Sequence, residues 1–252
     1  MTDLQKASFG KRIIATIFDG ILVSILAVAL AFLISSLTGY DKYADTINEA
    51  KARYEAEYGV KLGITQQEFN ELSDEDKAQF NAATEAINND EQVRYAYNMQ
   101  INLTMVITSI PILLSIIAVE FVVPLMFGNG QTLGKKIFGI ALMHTDGIKV
   151  SNVQLFARAV LGKFAIELMI PLSMIFMIGF GTIGIVGIII IGIILIAQIV
   201  CLAITKTNAL IHDVLAGTIA VDMASQKIFA TREELLEYTK KRHLEQVEKS
   251  MY

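Results

Sequence analysis

Four long apolar stretches constrain this chain more than any other feature of its sequence. They cover about residues 13–37, 103–127, 160–180 and 183–204, and each approaches the roughly 20 apolar residues that a helix needs to cross a bilayer. The glycine-rich segment GFGTIG separates the last two, which favours a tight helical hairpin over one long helix. We therefore predict an all-α membrane protein with four transmembrane helices.

The composition supports this fold class. Hydrophobic residues make up 54% of the chain and charged residues 18%, whereas soluble domains have about 45–50% and about 25%. The first stretch follows a basic flank, as a signal peptide does, but its length and the presence of Asp19 favour a permanent helix. The single cysteine, Cys201, excludes a disulfide within the chain.

Charged residues are distributed unevenly along the chain. Residues 40–101 carry 13 acidic against 6 basic residues, whereas Lys and Arg collect before the first stretch, between the second and third, and after the fourth. Because cytoplasmic loops carry an excess of Lys and Arg, both termini are predicted to be cytoplasmic. The chain then divides into an N-terminal flank with the first transmembrane helix (1–39), an extracytoplasmic helical insertion (40–101), a membrane core with a cytoplasmic loop at 128–158 (102–222), and a cytoplasmic helical tail (223–252).

Local signals predict structure in the insertion and in the loop. The segments TQQE and SDED, which begin at Thr65 and Ser73, resemble capping boxes. The helical pattern that begins near Glu91 runs into the second apolar stretch. In the loop, β-branched residues around TDG favour a short β-hairpin, and Ser151 is placed to cap the helix that leads to the third stretch.

Polar side chains interrupt the four apolar stretches at a similar depth. With a rise of about 1.5 Å per residue, Asp19, Glu120, Glu167 and Gln198 all fall in the cytoplasmic third of the bilayer. A charged group near the bilayer centre costs roughly 2.5–3.5 kcal/mol on insertion scales, so these side chains should turn inward and find partners. Arg12 lies two turns from Asp19 on the same helix face, which is too far for direct contact and predicts a partner on another helix.

This polar layer has two interpretations. Its members either lock the helices together through buried hydrogen bonds or bind a monovalent cation or a proton. Glu120 and Glu167 have fewer visible partners than Asp19, so they are the carboxylates predicted to titrate near neutral pH. The outer two thirds of the stretches hold only hydroxyls and amides, which weakens the case for a continuous ion path.

Catalytic and metal-binding motifs are absent from the sequence. The histidines His144, His212 and His243 are isolated, and there is no HExxH, GxSxG or phosphate loop. We therefore predict a protein that is not an enzyme and that has no cofactor, metal or nucleic-acid partner.

Three segments together resemble the RDD family of bacterial membrane proteins, which is named for one arginine and two aspartates. RIIATIFDG contains Arg12 and Asp19, GNGQTLGKKIFGIAL is similar to the segment after the family's second span, and NALIHDVLAGTIAV contains Asp213. The resemblance covers about residues 8–38 and 105–222. It implies a mostly helical membrane domain with Arg12, Asp19 and Asp213 as a signature polar trio. The insertion of roughly 60 residues departs from the short family core.

The resemblance and the polar layer leave two function classes open. Some family members have been proposed as sodium/proton antiporters, which would assign Na⁺ or K⁺ and H⁺ binding to Asp19, Glu120, Glu167 and Gln198. Others resemble regulators of neighbouring membrane proteins, which would assign a partner protein to residues 42–96. Both classes imply a multi-pass protein surrounded by lipid in a bacterial inner or plasma membrane.

Overall fold

The computed structural model describes residues 4–169 and 184–250, and helices dominate both ranges. Two helical stretches, Phe9–Thr38 and Glu91–Phe127, are long and apolar enough to cross a membrane, and a shorter apolar helix covers Ile188–Ile204. The first, second and fourth predicted stretches are therefore helical where they are described. Residues 170–183, which contain much of the third stretch and of GFGTIG, lie outside the described residues.

The chain begins with α1 (Phe9–Thr38), followed by α2 (Tyr40–Tyr58), α3 (Gln66–Glu71) and α4 (Asp74–Asn89). α5 (Glu91–Ile116) continues through a π-helical segment, π1 (Ile117–Val122), into α6 (Val123–Phe127). The other described elements are α7 (Leu133–Ile137), β1 (Ile140–His144), α8 (Asn152–Phe156), a second π-helical segment π2 (Ala157–Glu167), α9 (Gly184–Ile204), α10 (Ile211–Ala216), β2 (Thr218–Asp222) and α11 (Arg232–Ser250).

These elements form two compact units. Residues Met1–Val28 and Pro111–Tyr252 make up the first, which we call the core unit, and Ala29–Ile110 make up the second, the insertion unit. α1 and α5 each run from one unit into the other. All residues of the predicted polar layer belong to the core unit.

The insertion unit is helical, as its capping residues predict. Thr65 and Glu68 form a complete capping box at the start of α3, and the Ser73 hydroxyl accepts from the Asp76 N–H at 3.1 Å at the start of α4. Between α4 and α5, the Asp90 carboxylate accepts a hydrogen bond from the Tyr54 hydroxyl at 3.1 Å. The predicted continuous helix from Glu91 into the second apolar stretch is confirmed.

The core unit contains a small antiparallel sheet that corrects the predicted hairpin. The turn after β1 forms, since His144 N–H donates to the Ile148 carbonyl at 2.8 Å. However, the described residues after the turn pair with β1 through a single isolated bridge, Met143 to Lys149, while Ile148 bridges Phe229 instead. The strand paired with β1 is β2, in the register Ile140↔Asp222 to His144↔Thr218. Local turn signals report only the local connection, so this long-range pairing was missed.

The sheet forms the interior of the core unit, and alternation along β1 explains why. Ile140 and Leu142 pack on Ala15 of α1 and on Leu155 of α8, while Ala141 and Met143 pack on the other side with β2 residues. Successive side chains of a strand point to opposite faces, so both faces of β1 are covered. In contrast, only Ala15, Asp19 and Ala27 of α1 are buried, which leaves its large apolar side chains for lipid.

Candidate functional site

Asp19 is buried at the contact between α1 and α7 and is 1% exposed. Its carboxylate accepts hydrogen bonds from the Thr132 hydroxyl and from the Gly134 N–H at 2.8 Å. The Lys135 ammonium lies 3.8 Å from Asp19 Oδ2. A Cβ at position 134 would lie 2.9 Å from Asp19 Oδ1 and would collide with the Ala15 carbonyl, so only glycine permits this close approach of α7.

Glu120 lies next to two lysines in the core unit. Its carboxylate contacts the Lys163 ammonium directly and lies 3.5 Å from the Lys135 ammonium. The expectation that Glu120 has few partners is therefore wrong. Both lysines come from other elements, α7 and π2, and their approach depends on tertiary packing that the sequence of the second apolar stretch does not reveal.

Lys135 connects Asp19 with Glu120. Besides these two carboxylates, its ammonium donates to the Thr132 hydroxyl at 3.1 Å, so oxygens from α1, π1 and the start of α7 surround it. Burial lowers the pKa of Lys135 to about 8, although the charge of Glu120 opposes this shift. The protonated ammonium is thus less favoured here than on an exposed lysine.

Asp213 on α10 lies between two guanidinium groups. Arg12 Nη2 is 3.2 Å from Asp213 Oδ2, and Arg158 Nη1 contacts Asp213 Oδ1. Arg158 Nη1 also donates to the Thr218 hydroxyl at 3.0 Å. The prediction that Arg12 has a partner on another helix is confirmed. The signature trio is divided, however. Arg12 pairs with Asp213, whereas Asp19 contacts residues at the start of α7.

His212 connects Arg158 with Glu167. Its Nε2 lies 2.8 Å from Arg158 Nη2, and its Nδ1 lies 2.6 Å from Glu167 Oε1. An arginine side chain only donates hydrogen bonds, so Nε2 must accept and the proton must be on Nδ1, facing Glu167. Burial, together with the charge of Arg158, holds the pKa of His212 well below its usual value. His212 is therefore a neutral link between the two charged groups.

Glu167 and Gln198 both contact the first turn of α10. Glu167 Oε1 accepts from the His212 backbone N–H at 3.1 Å, and Gln198 Oε1 accepts from the Ile211 N–H at 3.0 Å. Leu210 at the N-cap has no side-chain hydrogen bond of its own, so these two side chains satisfy N–H groups that the helix leaves open. Among the described residues, both hydrogen bonds to the Glu167 carboxylate come from His212, one from its backbone N–H and one from its Nδ1–H.

Together these contacts form a charged network in the core unit. Within the described residues, its four acids face four cations, and His212 is neutral, so the formal charges cancel. The acids are Asp19, Glu120, Glu167 and Asp213, and the cations are Arg12, Lys135, Arg158 and Lys163. The sequence indicates Lys135 and Arg158 only as orientation signals and gives no role to His212, so these three of the nine residues were missed.

The π-helical geometry of π2 explains why Arg158 and Glu167 were not expected to belong to one network. In an α-helix, with 3.6 residues per turn, residues nine apart lie on about opposite sides, which would separate Arg158 from Glu167. The i→i+5 hydrogen bonds of a π-helix wind more slowly, so residues nine apart are about two turns apart on one side. Gly162 between them lets π2 approach α10 closely, since a Cβ there would lie 2.6 Å from His212 Cβ.

A mostly helical chain with two helices able to cross a bilayer and a buried charged network has the features of an integral membrane protein. The family model described as "RDD family" matches residues 6–217, and the chain belongs to this family. It is also similar to a Bacillus subtilis (strain 168) protein named Uncharacterized protein YckC, with 29% identity over 93 residues. That match covers 37% of this chain and 48% of the relative, about half its length. No solved structure matches the chain.

Proposed function

We propose that this RDD-family protein is a non-enzymatic, four-span protein of the bacterial plasma membrane that exchanges Na⁺ or K⁺ for protons. The charge distribution supports cytoplasmic termini, and the apolar helices of the described residues support several spans. The exchange takes place in the charged network of the core unit. Its central group is Lys135.

The position of the Lys135 ammonium is the observation that carries this proposal. The oxygens of Asp19, Glu120 and Thr132 lie 3.8, 3.5 and 3.1 Å from Lys135 Nζ. Oxygen atoms are also the ligands of hard metal cations in proteins. The ammonium therefore occupies a place that a monovalent cation fits, and the two compete for the same carboxylates.

This competition couples the cation to a proton. A cation that binds beside Glu120 and Asp19 raises the electrostatic cost of the protonated Lys135, whose pKa burial already lowers to about 8. Lys135 then releases its proton, and the neutral amine moves aside. One cation enters for one proton released, so the network keeps its charge balance. The proton-releasing group is thus a lysine rather than the carboxylates Glu120 and Glu167.

Proton flux in proteoliposomes tests this proposal. We expect an inward Na⁺ or K⁺ gradient to drive proton efflux from proteoliposomes that contain the wild-type protein. Lys135→Arg keeps the positive charge and the ion pairs but removes the titration, because arginine stays protonated in proteins, so flux should be lost while the protein remains folded. Lys136→Arg is the matched control, since Lys136 is exposed and its ammonium lies over the Phe127 ring.

Two results would contradict the proposal. If the Lys135→Arg protein transports as the wild type does, Lys135 is not the coupling group. If the wild-type protein gives no cation-dependent flux with either ion, the network has a purely structural role and the second candidate function is favoured.

The second candidate function is regulation of another membrane protein through the insertion unit. The observation that favours it is the exposure of two aromatic side chains on α5, Tyr95 at 60% and Tyr97 at 56%. Tyrosine is enriched at protein interfaces. Deletion of residues 42–96 distinguishes the two candidate functions experimentally. Exchange through the core unit should survive the deletion, whereas a regulator should lose its cross-linked partner in native membranes.

A further inference from the structure

A cavity in the core unit opens beside the charged network. Its volume is about 280 Å³, which is near the lower end of ligand-binding pockets. α1 forms one wall, and residues of α7, π2 and α10 form the base. A pocket of this size holds a phosphate-bearing head group but not a whole lipid.

The base of the cavity is positively charged. Arg12, Lys135 and Arg158 line it, and the acid among the described lining residues is Asp213. Three cations and one acid give a local formal charge of +2, because Asp19 and Glu120 approach Lys135 from outside the lining. An anion in the cavity would therefore meet more positive than negative charge.

One hydrogen-bond donor at the base also remains open among the described residues. Arg158 is 4% exposed, and its Nε–H has no hydrogen-bond acceptor among the described residues. A buried donor without an acceptor is rare in proteins. Lys135 has three donors; its ammonium donates to Thr132 at 3.1 Å and lies 3.5 Å from Glu120 and 3.8 Å from Asp19, so an anion would share it with these carboxylates. Both groups line the cavity and suit an anion with several oxygens.

The wall from α1 is apolar and continues the lipid-facing surface of this helix. Phe9, Ile13 and Ile17 line the cavity, lie four residues apart on one stripe, and are 56%, 41% and 57% exposed. A free phosphate ion gains nothing from such a wall. The acyl chains of a lipid do, because they would pack along the stripe while the head group enters the cavity.

We propose that this cavity binds the head group of an acidic phospholipid from the cytoplasmic leaflet. Basic pockets between transmembrane helices on this side of a membrane recognise anionic head groups. The phosphate would accept hydrogen bonds from Arg12, Lys135 and Arg158, and the acyl chains would follow Phe9, Ile13 and Ile17. This inference goes beyond the exchange of cations and does not depend on it.

Lipid titration of the purified full-length protein in detergent tests the inference. Short-chain phosphatidylglycerol should raise the unfolding temperature, because a ligand that binds only the folded state stabilises it, and native mass spectrometry should detect the adduct. Phosphatidylcholine of the same chain length should do neither. Arg12→Gln should weaken phosphatidylglycerol binding about tenfold or more, the factor expected for one hydrogen bond to a charged group. Lys11→Gln is the matched control, since Lys11 pairs with Asp222 on the surface.

A second pair of variants keeps the test decisive if Arg12→Gln does not fold. Thr16 lines the cavity and is exposed, so Thr16→Glu adds a repelling charge without breaking an ion pair, and Thr16→Gln is its neutral counterpart. Only the glutamate variant should lose phosphatidylglycerol binding. Equal binding of both lipids would show an unspecific apolar contact and overturn the inference. Equal stabilisation by inorganic phosphate would also overturn it, because the site would then take a free anion.

Discussion

At the scale of single residues, Asp213 is a buried acid that pairs with two guanidinium groups. It separates the guanidinium groups of Arg12 and Arg158, and it is 1% exposed. Asp19 differs, because its two oxygens accept from a hydroxyl and a backbone N–H as well as facing a lysine. The two aspartates of the family signature therefore have different partners and should respond differently to substitution.

We predict that Asp213→Asn lowers the free energy of unfolding by about 3–5 kcal/mol, because it leaves the buried Arg158 and the partly buried Arg12 with one neutral amide between them. Asp19→Asn should cost less, since the amide oxygen still accepts from Gly134. Asp222→Asn is the control. This residue pairs with the exposed Lys11, so its substitution should leave stability close to that of the wild type.

Thermal unfolding of the three variants in one detergent gives the comparison. If Asp213→Asn unfolds at the same temperature as Asp222→Asn, the Arg12–Asp213–Arg158 contact contributes nothing to the fold. Loss of cation flux with unchanged stability would instead assign the signature residues to transport.

At the scale of elements, glycine determines which helices approach the charged network. Gly134 permits α7 to lie against α1, and Gly162 permits π2 to lie against α10. Both contacts place cations next to acids on a neighbouring element. The sequence contains 17 glycines, and nothing in the pattern around these two distinguishes them from glycines that contact nothing.

We predict that Gly134→Ala lowers the yield of folded protein and its unfolding temperature. The added methyl group would force α7 away from the Ala15 carbonyl and would break the hydrogen bond between Gly134 N–H and Asp19. Gly20→Ala is the matched control on α1, because a Cβ there meets nothing within 4 Å. It should be neutral or stabilising by up to about 1 kcal/mol, the difference between Gly and Ala inside a helix.

Size-exclusion profiles and unfolding temperatures measure this difference. Equal behaviour of the two variants would mean that the contact between α7 and α1 accommodates an added methyl group. The proposed reason for glycine at position 134 would then be wrong.

At the scale of the whole molecule, the arrangement across the membrane is a prediction from the charge distribution. Residues 40–101 are strongly acidic, whereas Lys and Arg collect before the first apolar stretch and between the second and the third. The predicted topology therefore places the insertion outside the cell and the charged network near the cytoplasmic surface.

Cysteine labelling tests this topology. In a variant with Cys201 replaced by Ser, a cysteine at Glu75 should react with an impermeant maleimide added to intact spheroplasts. A cysteine at Asp146 should react only after the membrane is opened. Labelling of both positions from one side would contradict the four-span arrangement.

Much of the local structure was predictable from the sequence because its causes are local. Apolar length predicted the helices α1, α5 and α9. The caps at Thr65 and Ser151 were also predictable, because a hydroxyl and a glutamate or glutamine three residues later are all that a capping box needs. The segments around Arg12, Asp19 and Asp213 were sufficient to identify the RDD family.

Only the tertiary structure decided which charges meet. Asp19 and Lys135, Glu120 and Lys163, and Arg12 and Asp213 come from elements far apart in the chain, and a sequence pattern has no information on such distances. The π-helical winding of π2 and the pairing of β1 with β2 arise in the same way, because packing against neighbouring elements stabilises both. A predicted depth in the membrane needs only residue numbers, whereas the ion pairs depend on how the helices turn toward one another.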